Sequence, residues 1–276
     1  MTVESSIVPF MFGDRDRQLF GVLHKSERGQ DSGRAVLLCS PFGREAIRVQ
    51  RLQRVLAERL AREGFPVLRF DYYGAGDSHG GDVEVDLDGW CADILEADRA
   101  LRLQTGLERV IWVGFRLGAT VMIDAVRQFQ RAPPSLVLCE PVFDGESYIR
   151  ELRRRHAIES ESTFSLRRWA LKKCIGNLSE DQALGYGFPQ RFSEQICRLG
   201  QGSWQPRADV GPVRVLIDPE SADCKRLLAR TECVPKEFQV VPLTHGVDWL
   251  SATAQNVSVV PMEALTALLT CVRGCP

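Results

Sequence analysis

The segment 114–118 carries the most distinctive chemistry of the chain, because it reads Gly-Phe-Arg-Leu-Gly. A β-branched and aromatic run precedes it and an apolar helical pattern follows it, which predicts a strand, a tight turn and a helix. The central residue, Arg116, stays protonated at working pH and cannot act as a nucleophile. At the amino end of a helix its guanidinium favours a carboxylate, a phosphate or a developing oxyanion. The alternative is that Arg116 pairs with Asp218 or with an acid of a lid and fills the pocket.

The elements that must position this turn are predicted from alternating apolar runs and helical patterns. Residues 6–12 and 18–25 predict an opening hairpin. Repetition of strand, helix and strand predicts a parallel sheet with helices on both faces. We therefore expect an α/β fold with a mostly parallel, eight-stranded sheet. The remaining strands are predicted from continuous apolar runs at 34–39, 66–70, 109–113, 136–139, 213–217 and 238–243.

The segment from about 143 to 211 interrupts this alternation, since it is rich in Arg, Ser and Gln and contains no buried-strand run. It predicts a helical lid inserted after the sixth strand, with residues 1–142 and 212–276 forming the core. Basic residues cluster between 150 and 173, which is typical of a solvated helical face. A local site for an acidic partner is the alternative interpretation of this cluster.

The composition excludes several classes of function. Lys and Arg number 35 against 36 Asp and Glu, so the net charge of −1 gives no electrostatic case for nucleic acid. Nine cysteines without a Cys-x-x-Cys pair indicate free thiols in a reducing cytosol, and we expect a cytoplasmic protein. No apolar run is long enough to span a bilayer and no signal pattern is present. No motif for a nucleotide or metal occurs, so we expect no cofactor.

Along nearly its whole length the chain resembles the α/β-hydrolase superfamily. The segment 114–118 has the layout of that family's nucleophile elbow, Gly-x-Ser-x-Gly, with arginine in the place of serine. Residues 71–78 match its Asp-x-x-Gly-x-Gly-x-Ser loop. More narrowly, motifs at 41–45, 90–94, 114–119 and 183–187 resemble the second type of hydrolase-like protein associated with bacterial exosortase and exopolysaccharide systems. Arginine at the elbow is a feature of that group, and related proteins accompany specialised-metabolite assembly lines.

The superfamily order of nucleophile, acid and histidine implies where a general base would lie. His245 directly follows the last apolar strand and is the candidate base, the alternative being an ordinary loop histidine. The candidate acid follows the penultimate strand, with Asp218 as first choice and Asp223 as second. Asp218 is equally well explained as a turn residue before Pro219. An acid–histidine pair would supply a general base with a fixed tautomer.

The resemblance also implies an oxyanion hole made of backbone amides, which the arginine does not remove. One amide belongs to Leu117, after the elbow residue, and the other to Phe42 or Gly43, in the loop after the third strand. Ser40 could replace the missing nucleophile, as could Cys39 or Cys139, but each is more simply explained as a core or turn residue.

Two classes of function follow from these residues. The first is an enzyme without a serine nucleophile that hydrolyses, transfers or cyclises an acyl ester, thioester or amide. His245 would act as general base and Arg116 as anion clamp. The second is an inactive hydrolase-like protein that binds an acyl or carrier-linked ligand, or a partner protein. Retention of His245 favours the enzyme, and a homodimer is left open in either case.

Overall fold

A computed structural model of the protein describes residues 6–26, 32–129, 135–163, 182–199, 210–228, 237–244, 249 and 260–276. No helix within these ranges is long and apolar enough to cross a membrane. The predicted lid segment is described at residues 143–163, 182–199 and 210–211. The division of the chain into a core and a lid stays a prediction.

Eight strands form one mostly parallel sheet, as predicted, in the order β1-β2-β4-β3-β5-β6-β9-β10. The opening hairpin is antiparallel, and β2 also pairs antiparallel with β4, while all the other pairs are parallel. The strands are β1 (Ile7–Phe12), β2 (Leu19–His24), β3 (Ala35–Cys39), β4 (Val67–Phe70), β5 (Val110–Phe115), β6 (Ser135–Cys139), the two-stranded β7 (Gln182–Ala183) and β8 (Tyr186–Gly187), β9 (Val213–Ile217) and β10 (Phe238–Pro242).

Helices connect the strands and cover the sheet. Every residue of β3, β5 and β6 is buried, which explains why their sequences are continuously apolar rather than alternating. The helices described are α1 (Gly43–Arg62), α2 (Leu87–Thr105), α3 (Leu117–Gln128), α4 (Gly145–Thr163), α5 (Gln190–Cys197), α6 (Ala222–Leu228) and α7 (Met262–Arg273).

Local sequence signals fix several helix ends. The Asp86 side chain accepts a hydrogen bond of 2.7 Å from the Gly89 amide and caps α2 at its start. Gly106, with a φ of 71°, ends the same helix in the left-handed conformation that favours glycine. On α1, Leu52, Leu56 and Leu60 are all buried, as their spacing of four residues predicts.

The structure moves some of the predicted boundaries. β5 continues two residues beyond the predicted end at 113, because Phe115 still pairs with Cys139 of β6. The turn of the 114–118 segment is therefore a single residue, Arg116, between β5 and α3. The predicted lid contains the short antiparallel pair β7–β8 besides its helices.

The parallel register brings the ends of four strands to one edge of the sheet. Cys39 lies opposite Gly114, Phe115 opposite Cys139, and Cys139 opposite Leu216. The residues that follow β3, β5, β6 and β9 therefore lie at the carboxyl edge of the sheet, where ligands bind in open α/β folds. The candidate site is built there.

Candidate active site

The turn at Arg116 has the backbone geometry of a strained strand-to-helix connection. Arg116 has φ of 50° and ψ of −123°, a conformation that costs free energy for a bulky side chain and clusters at functional sites. The flanking glycines permit close packing. A methyl group on Gly118 would lie 2.1 Å from the carbonyl oxygen of Ser40, and one on Gly114 would lie 2.3 Å from the sulfur of Met122. The predicted turn therefore forms, and its central side chain is arginine.

The Arg116 guanidinium is engaged by a buried carboxylate. Its Nε donates a hydrogen bond of 3.0 Å to Oε1 of Glu45, a fully buried residue in the first turn of α1. Its Nη1 donates one of 3.1 Å to the backbone carbonyl of Glu140. Burial lowers the pKa of Arg116, but the charges of Glu45, Tyr148 and Glu140 and the hydrogen bond to Glu45 together outweigh it, and the net pKa is raised. The guanidinium is therefore a cation that is held against a buried carboxyl group.

Tyr148 of α4 completes this arrangement, which we call the elbow cluster (Glu45, Arg116, Glu140 and Tyr148). Its hydroxyl donates a hydrogen bond of 2.8 Å to Oε2 of Glu45, and its ring centroid lies 5.8 Å from the Arg116 guanidinium carbon. Both carboxylate oxygens of Glu45 are thus occupied. The side chain of Arg116 keeps 22% of its surface exposed, so the cluster is closed on the α1 side and partly open on the other.

The partner of Arg116 is one that the sequence did not indicate. The alternative role predicted for this arginine was an ion pair with Asp218 or with an acid of the lid, and the structure places Glu45 of α1 there instead. The two residues are separated by 71 positions in the sequence. The available signal was local, since Glu45 lies in the first helical turn directly after the predicted oxyanion loop.

Asp218, the first-choice acid, lies at the end of β9 and shapes the turn into α6. Its Oδ1 accepts a hydrogen bond of 2.9 Å from the Glu220 amide, and its carbonyl accepts one of 2.7 Å from the Ser221 hydroxyl. These contacts fit the alternative interpretation of Asp218, in which it is a turn residue. Asp223, the second choice, forms an ion pair of 3.3 Å with Arg226. Burial raises the pKa of Asp223, against the charges of Arg226 and Arg116.

His245, the candidate general base, lies outside the described residues, so its pairing with either acid stays a prediction. The residue before it, Thr244, lies within the described residues and contacts α7. Thr244 donates hydrogen bonds of 2.8 Å from its amide and 2.7 Å from its hydroxyl to Oε1 of Glu263 at the start of α7. The chain that leads from β10 to His245 is therefore attached to α7.

The amides predicted to form the oxyanion hole begin two helices. Leu117 is the first residue of α3 and Gly43 the first residue of α1, so neither N–H has an acceptor within its own helix. Gly118, next to Leu117, lies against Ser40, three residues before the start of α1. Phe42 is buried, and its ring packs against Trp90, Tyr186, Phe188 and Phe192.

The β7–β8 pair covers the oxyanion loop. A methyl group on Gly43 would lie 3.3 Å from the ring of Tyr186, and the amide of Gly187 donates a hydrogen bond of 2.7 Å to Asp82. In the turn between β7 and β8, the amide of Leu184 donates a hydrogen bond of 3.1 Å to Nδ1 of His156. The β7–β8 pair and its turn thus contact both the oxyanion loop and α4.

The residues considered as replacement nucleophiles have structural roles. Cys39 and Cys139 are fully buried, and burial raises the pKa of both thiols far above the range in which a thiolate forms. The side-chain amide of Gln53 lies against the Ser40 hydroxyl, which is 3.2 Å from both its Oε1, as donor, and its Nε2, as acceptor. Among the described residues, no group of three or more His, Cys, Asp or Glu side chains is arranged to hold a metal ion.

A cleft of about 1050 Å³ opens beside the oxyanion loop. It begins at Ser40, Phe42 and Gly43 and continues along α1 towards β2 and the loop after β4. Arg116 does not line it. The elbow cluster and this cleft are therefore neighbouring regions on the two sides of the α1 start.

With the geometry established, the family model described as serine aminopeptidase S33 matches residues 31–184, more than half of the chain. The chain belongs to this family. The matched range includes β3, the elbow and the first part of the predicted lid segment. A search of curated protein sequences finds no match.

Solved structures place the S33 family chain among α/β-hydrolase folds, as predicted from its sequence. An esterase from Pyrococcus furiosus is 16% identical with a TM-score of 0.63, covering 98% of this chain and 91% of its own. A hydrolase from Agrobacterium vitis is 18% identical with a TM-score of 0.59, covering 97% of each chain. A lidless serine hydrolase from Xanthomonas campestris is 15% identical with a TM-score of 0.59, covering 98% and 94%. At these identities the likeness concerns the fold.

Proposed function

We propose that this chain binds an acyl ester, thioester or amide ligand without forming a covalent acyl-enzyme. The ion pair between Arg116 and Glu45 carries the proposal. Arg116 occupies the turn where a serine nucleophile would stand in this fold, and it cannot be deprotonated. Its Nε and Nη1 are engaged by Glu45 and the Glu140 carbonyl. A cation with a buried counterion adds little to the binding of a second anion, so the elbow contributes neither a nucleophile nor a strong anion clamp.

The ligand class follows from the parts of the site that remain. The Leu117 and Gly43 amides lack acceptors within their helices, and such donors bind a carbonyl or carboxyl oxygen. The adjoining cleft has the volume of a ligand site and opens at the same loop. The narrower resemblance to the exosortase-associated proteins would place this ligand in a biosynthetic or exopolysaccharide system, as a free or carrier-linked acyl compound.

A second candidate function is acyl hydrolysis or transfer without a serine nucleophile. It is favoured by the same two amides and by the position of His245, three residues after the end of β10. In this mechanism His245 would deprotonate water, a hydroxyl or an amine, and the amides would stabilise the oxyanion. Asp218 or Asp223 would orient the imidazole, and Arg116 would serve as anion clamp.

Turnover of a panel of acyl esters and thioesters, with product and intact protein followed by mass spectrometry, separates the two. We expect the wild-type protein to form neither product above the buffer rate nor an acyl adduct, with or without an amine acceptor. The key variant is Arg116→Ser combined with Glu45→Gln, because Arg116→Ser alone would leave a buried carboxylate unpaired. If only this double variant gains a fluorophosphonate adduct, the binding proposal is supported.

The matched control is Arg127→Ser, which changes an arginine of the same helix away from the elbow cluster. Wild-type turnover that falls by about a hundredfold in His245→Ala would establish the serine-free enzyme and contradict the binding proposal. Turnover that persists in His245→Ala would contradict the assignment of this histidine as the general base.

A further inference from the structure

The cleft beside the oxyanion loop changes in character along its length. One face of α1 lines it at helical spacing, through Gly43, Ile47, Gln50, Arg54 and Glu58. At 1.5 Å per residue, Gly43 and Arg54 are about 16 Å apart along the helix. The wall near the loop is apolar and the far end is basic, so the cleft can receive an elongated ligand whose two ends differ.

The apolar part of the cleft is formed by α1 and β2. Ile47 of α1 is 57% exposed although it is a large hydrophobic residue, and Phe20 and Val22 of β2 line the facing wall. An exposed isoleucine over other apolar residues gains from covering by an alkyl chain, since each buried CH₂ contributes about 0.8 kcal/mol in transfer.

Arg51, Arg54 and Arg69 form the basic end of the cleft. Arg69 is held by its Nε, which donates a hydrogen bond of 3.1 Å to Nε2 of His24. His24 is buried, and burial together with the charge of Arg69 lowers its pKa to about 4, so it accepts this bond as a neutral imidazole. A neutral acceptor orients the guanidinium without neutralising it. Burial lowers the pKa of Arg69, and the nearby charges of Asp71 and Glu58 raise it.

The carboxylates that also line the cleft compensate the charge of this end only in part. Glu58 pairs with Arg54 at 2.9 Å, and Asp82 accepts the hydrogen bond from Gly187 of the β7–β8 pair. Burial raises the pKa of Asp71, whose carboxylate accepts a hydrogen bond of 3.1 Å from the amide of Asp77. In the part of the chain that the structure describes, neither Arg69 nor Arg51 forms an ion pair. Asp77 is the fourth acidic residue that lines the cleft, besides Glu58, Asp71 and Asp82.

We infer that the cleft binds an amphipathic acyl compound whose far end carries a carboxylate or a phosphate. The carbonyl end lies at the Phe42–Gly43 loop, the alkyl chain lies over Ile47, Phe20 and Val22, and the anion contacts Arg69 and Arg51. This inference rests on the proposed acyl-binding function and names its ligand class. The length of the cleft, its apolar wall and the guanidinium groups at its far end each match one part of such a molecule.

Isothermal titration calorimetry with two matched probes tests the inference. The monomethyl ester of dodecanedioic acid carries one carbonyl ester and one distant carboxylate, and the dimethyl ester has the same chain without the charge. We expect the monoester to bind wild-type protein about tenfold more tightly, the effect of one hydrogen bond to a charged group. Dodecyl phosphate, titrated in a separate arm, distinguishes a phosphate end from a carboxylate end.

Variants locate the charge effect. Arg69→Met should remove the preference for the monoester, and Arg51→Gln, an exposed residue whose loss cannot unfold the chain, should reduce it several-fold. Arg99→Gln on α2 is the matched control and should leave it unchanged. Three results would overturn the inference. The first is equal binding of the two esters, and the second is a preference that survives in both Arg69→Met and Arg51→Gln. The third is that none of the probes binds.

Mass spectrometry of the same samples keeps this result separate from the proposed function. Release of dodecanedioate from the monoester would contradict binding without turnover and would leave the assignment of the anionic end intact. An intact monoester that binds no better than the diester would contradict the anionic end alone.

Discussion

Two regions of this chain present arginines close to the same loop, and their environments differ. At the elbow cluster, Arg116 is paired with the fully buried Glu45 and fixed by the Glu140 carbonyl, while Tyr148 occupies the other oxygen of Glu45. At the cleft, Arg69 is oriented by a neutral imidazole and faces open volume. The Arg116 guanidinium therefore has a buried counterion, and the Arg69 guanidinium is the one that we propose for ligand binding.

The comparison also separates the fold's geometry from its chemistry. The strained turn, the close contact of Gly118 with Ser40 and the Leu117 amide without an acceptor in its own helix are all present at the elbow. These features belong to the backbone and persist whatever side chain occupies position 116. Covalent chemistry would depend on that one side chain, and here the side chain is an arginine in an ion pair with Glu45.

Removing the elbow arginine is expected to have the largest effect on stability. Arg116→Ala leaves the Glu45 carboxylate buried without its counterion and should lower the free energy of unfolding by about 3 to 4 kcal/mol. Urea denaturation measures this. Adding Glu45→Gln should recover much of the loss, whereas Arg127→Ala, whose partner Asp124 is partly exposed, should cost less than about 1 kcal/mol. Equal losses in Arg116→Ala and Arg127→Ala would show that the elbow ion pair stabilises the fold no more than a partly exposed one.

Gly118→Ala tests the backbone contact that the elbow retains. The added methyl group would meet the Ser40 carbonyl oxygen at 2.1 Å, so α3 must move away from β3. We expect a loss of about 2 to 3 kcal/mol from overpacking, measured by thermal unfolding. Gly81→Ala is the control, since its nearest neighbour would lie at 3.6 Å and the substitution should be nearly neutral. A Gly118→Ala protein as stable as Gly81→Ala would contradict the close packing.

The pH dependence of stability tests the environment of Arg69 through His24. The pKa of His24 is lowered from 6.5 to about 4 in the folded protein. Below pH 6.5 the unfolded chain binds a proton that the folded chain does not, so stability falls as the pH falls towards 4. Between pH 7 and 4.5 this amounts to about 2 kcal/mol. His24→Gln should lose about that much less over the same range, and identical pH profiles would contradict a neutral buried His24.

Arg51→Gln is expected to have the smallest effect on stability. Arg51 is exposed and forms no ion pair within the described residues, so the free energy of unfolding should change by less than about 0.5 kcal/mol. Chemical denaturation of this variant beside Arg116→Ala gives the sharpest contrast between the two regions. A loss above about 1 kcal/mol would mean that Arg51 has a structural partner after all.

Much of the fold could be predicted from the sequence because its signals are local. Continuous apolar runs such as 34–39 mark strands buried on both faces, and the glycines of the segment 114–118 mark a tight turn. The end of β5 was placed too early, because pairing of Phe115 with Cys139 is decided by the neighbouring strand. The turn role of Asp218 was one of two interpretations, and its hydrogen bond to the Glu220 amide supports it.

The candidate site was harder to predict because its decisive contacts are not local. The partner of Arg116 depends on how the first turn of α1 packs against the elbow, and no periodicity reports that contact. The cleft exists only because α1 lies across β2 and β4, so its lining residues come from separate parts of the chain. The basic character of its far end depends on which carboxylates are already engaged, which composition does not reveal.

The most direct test of the account compares the two arginine environments in one binding measurement. The monomethyl ester of dodecanedioic acid is titrated into the Arg116→Gln/Glu45→Gln double variant and into Arg69→Met. We expect the double variant to bind within about twofold of the wild type, as for sites that do not interact. Arg69→Met should bind about tenfold more weakly. Loss of binding in the double variant with retention in Arg69→Met would show that Arg116 is the anion clamp and would contradict the account.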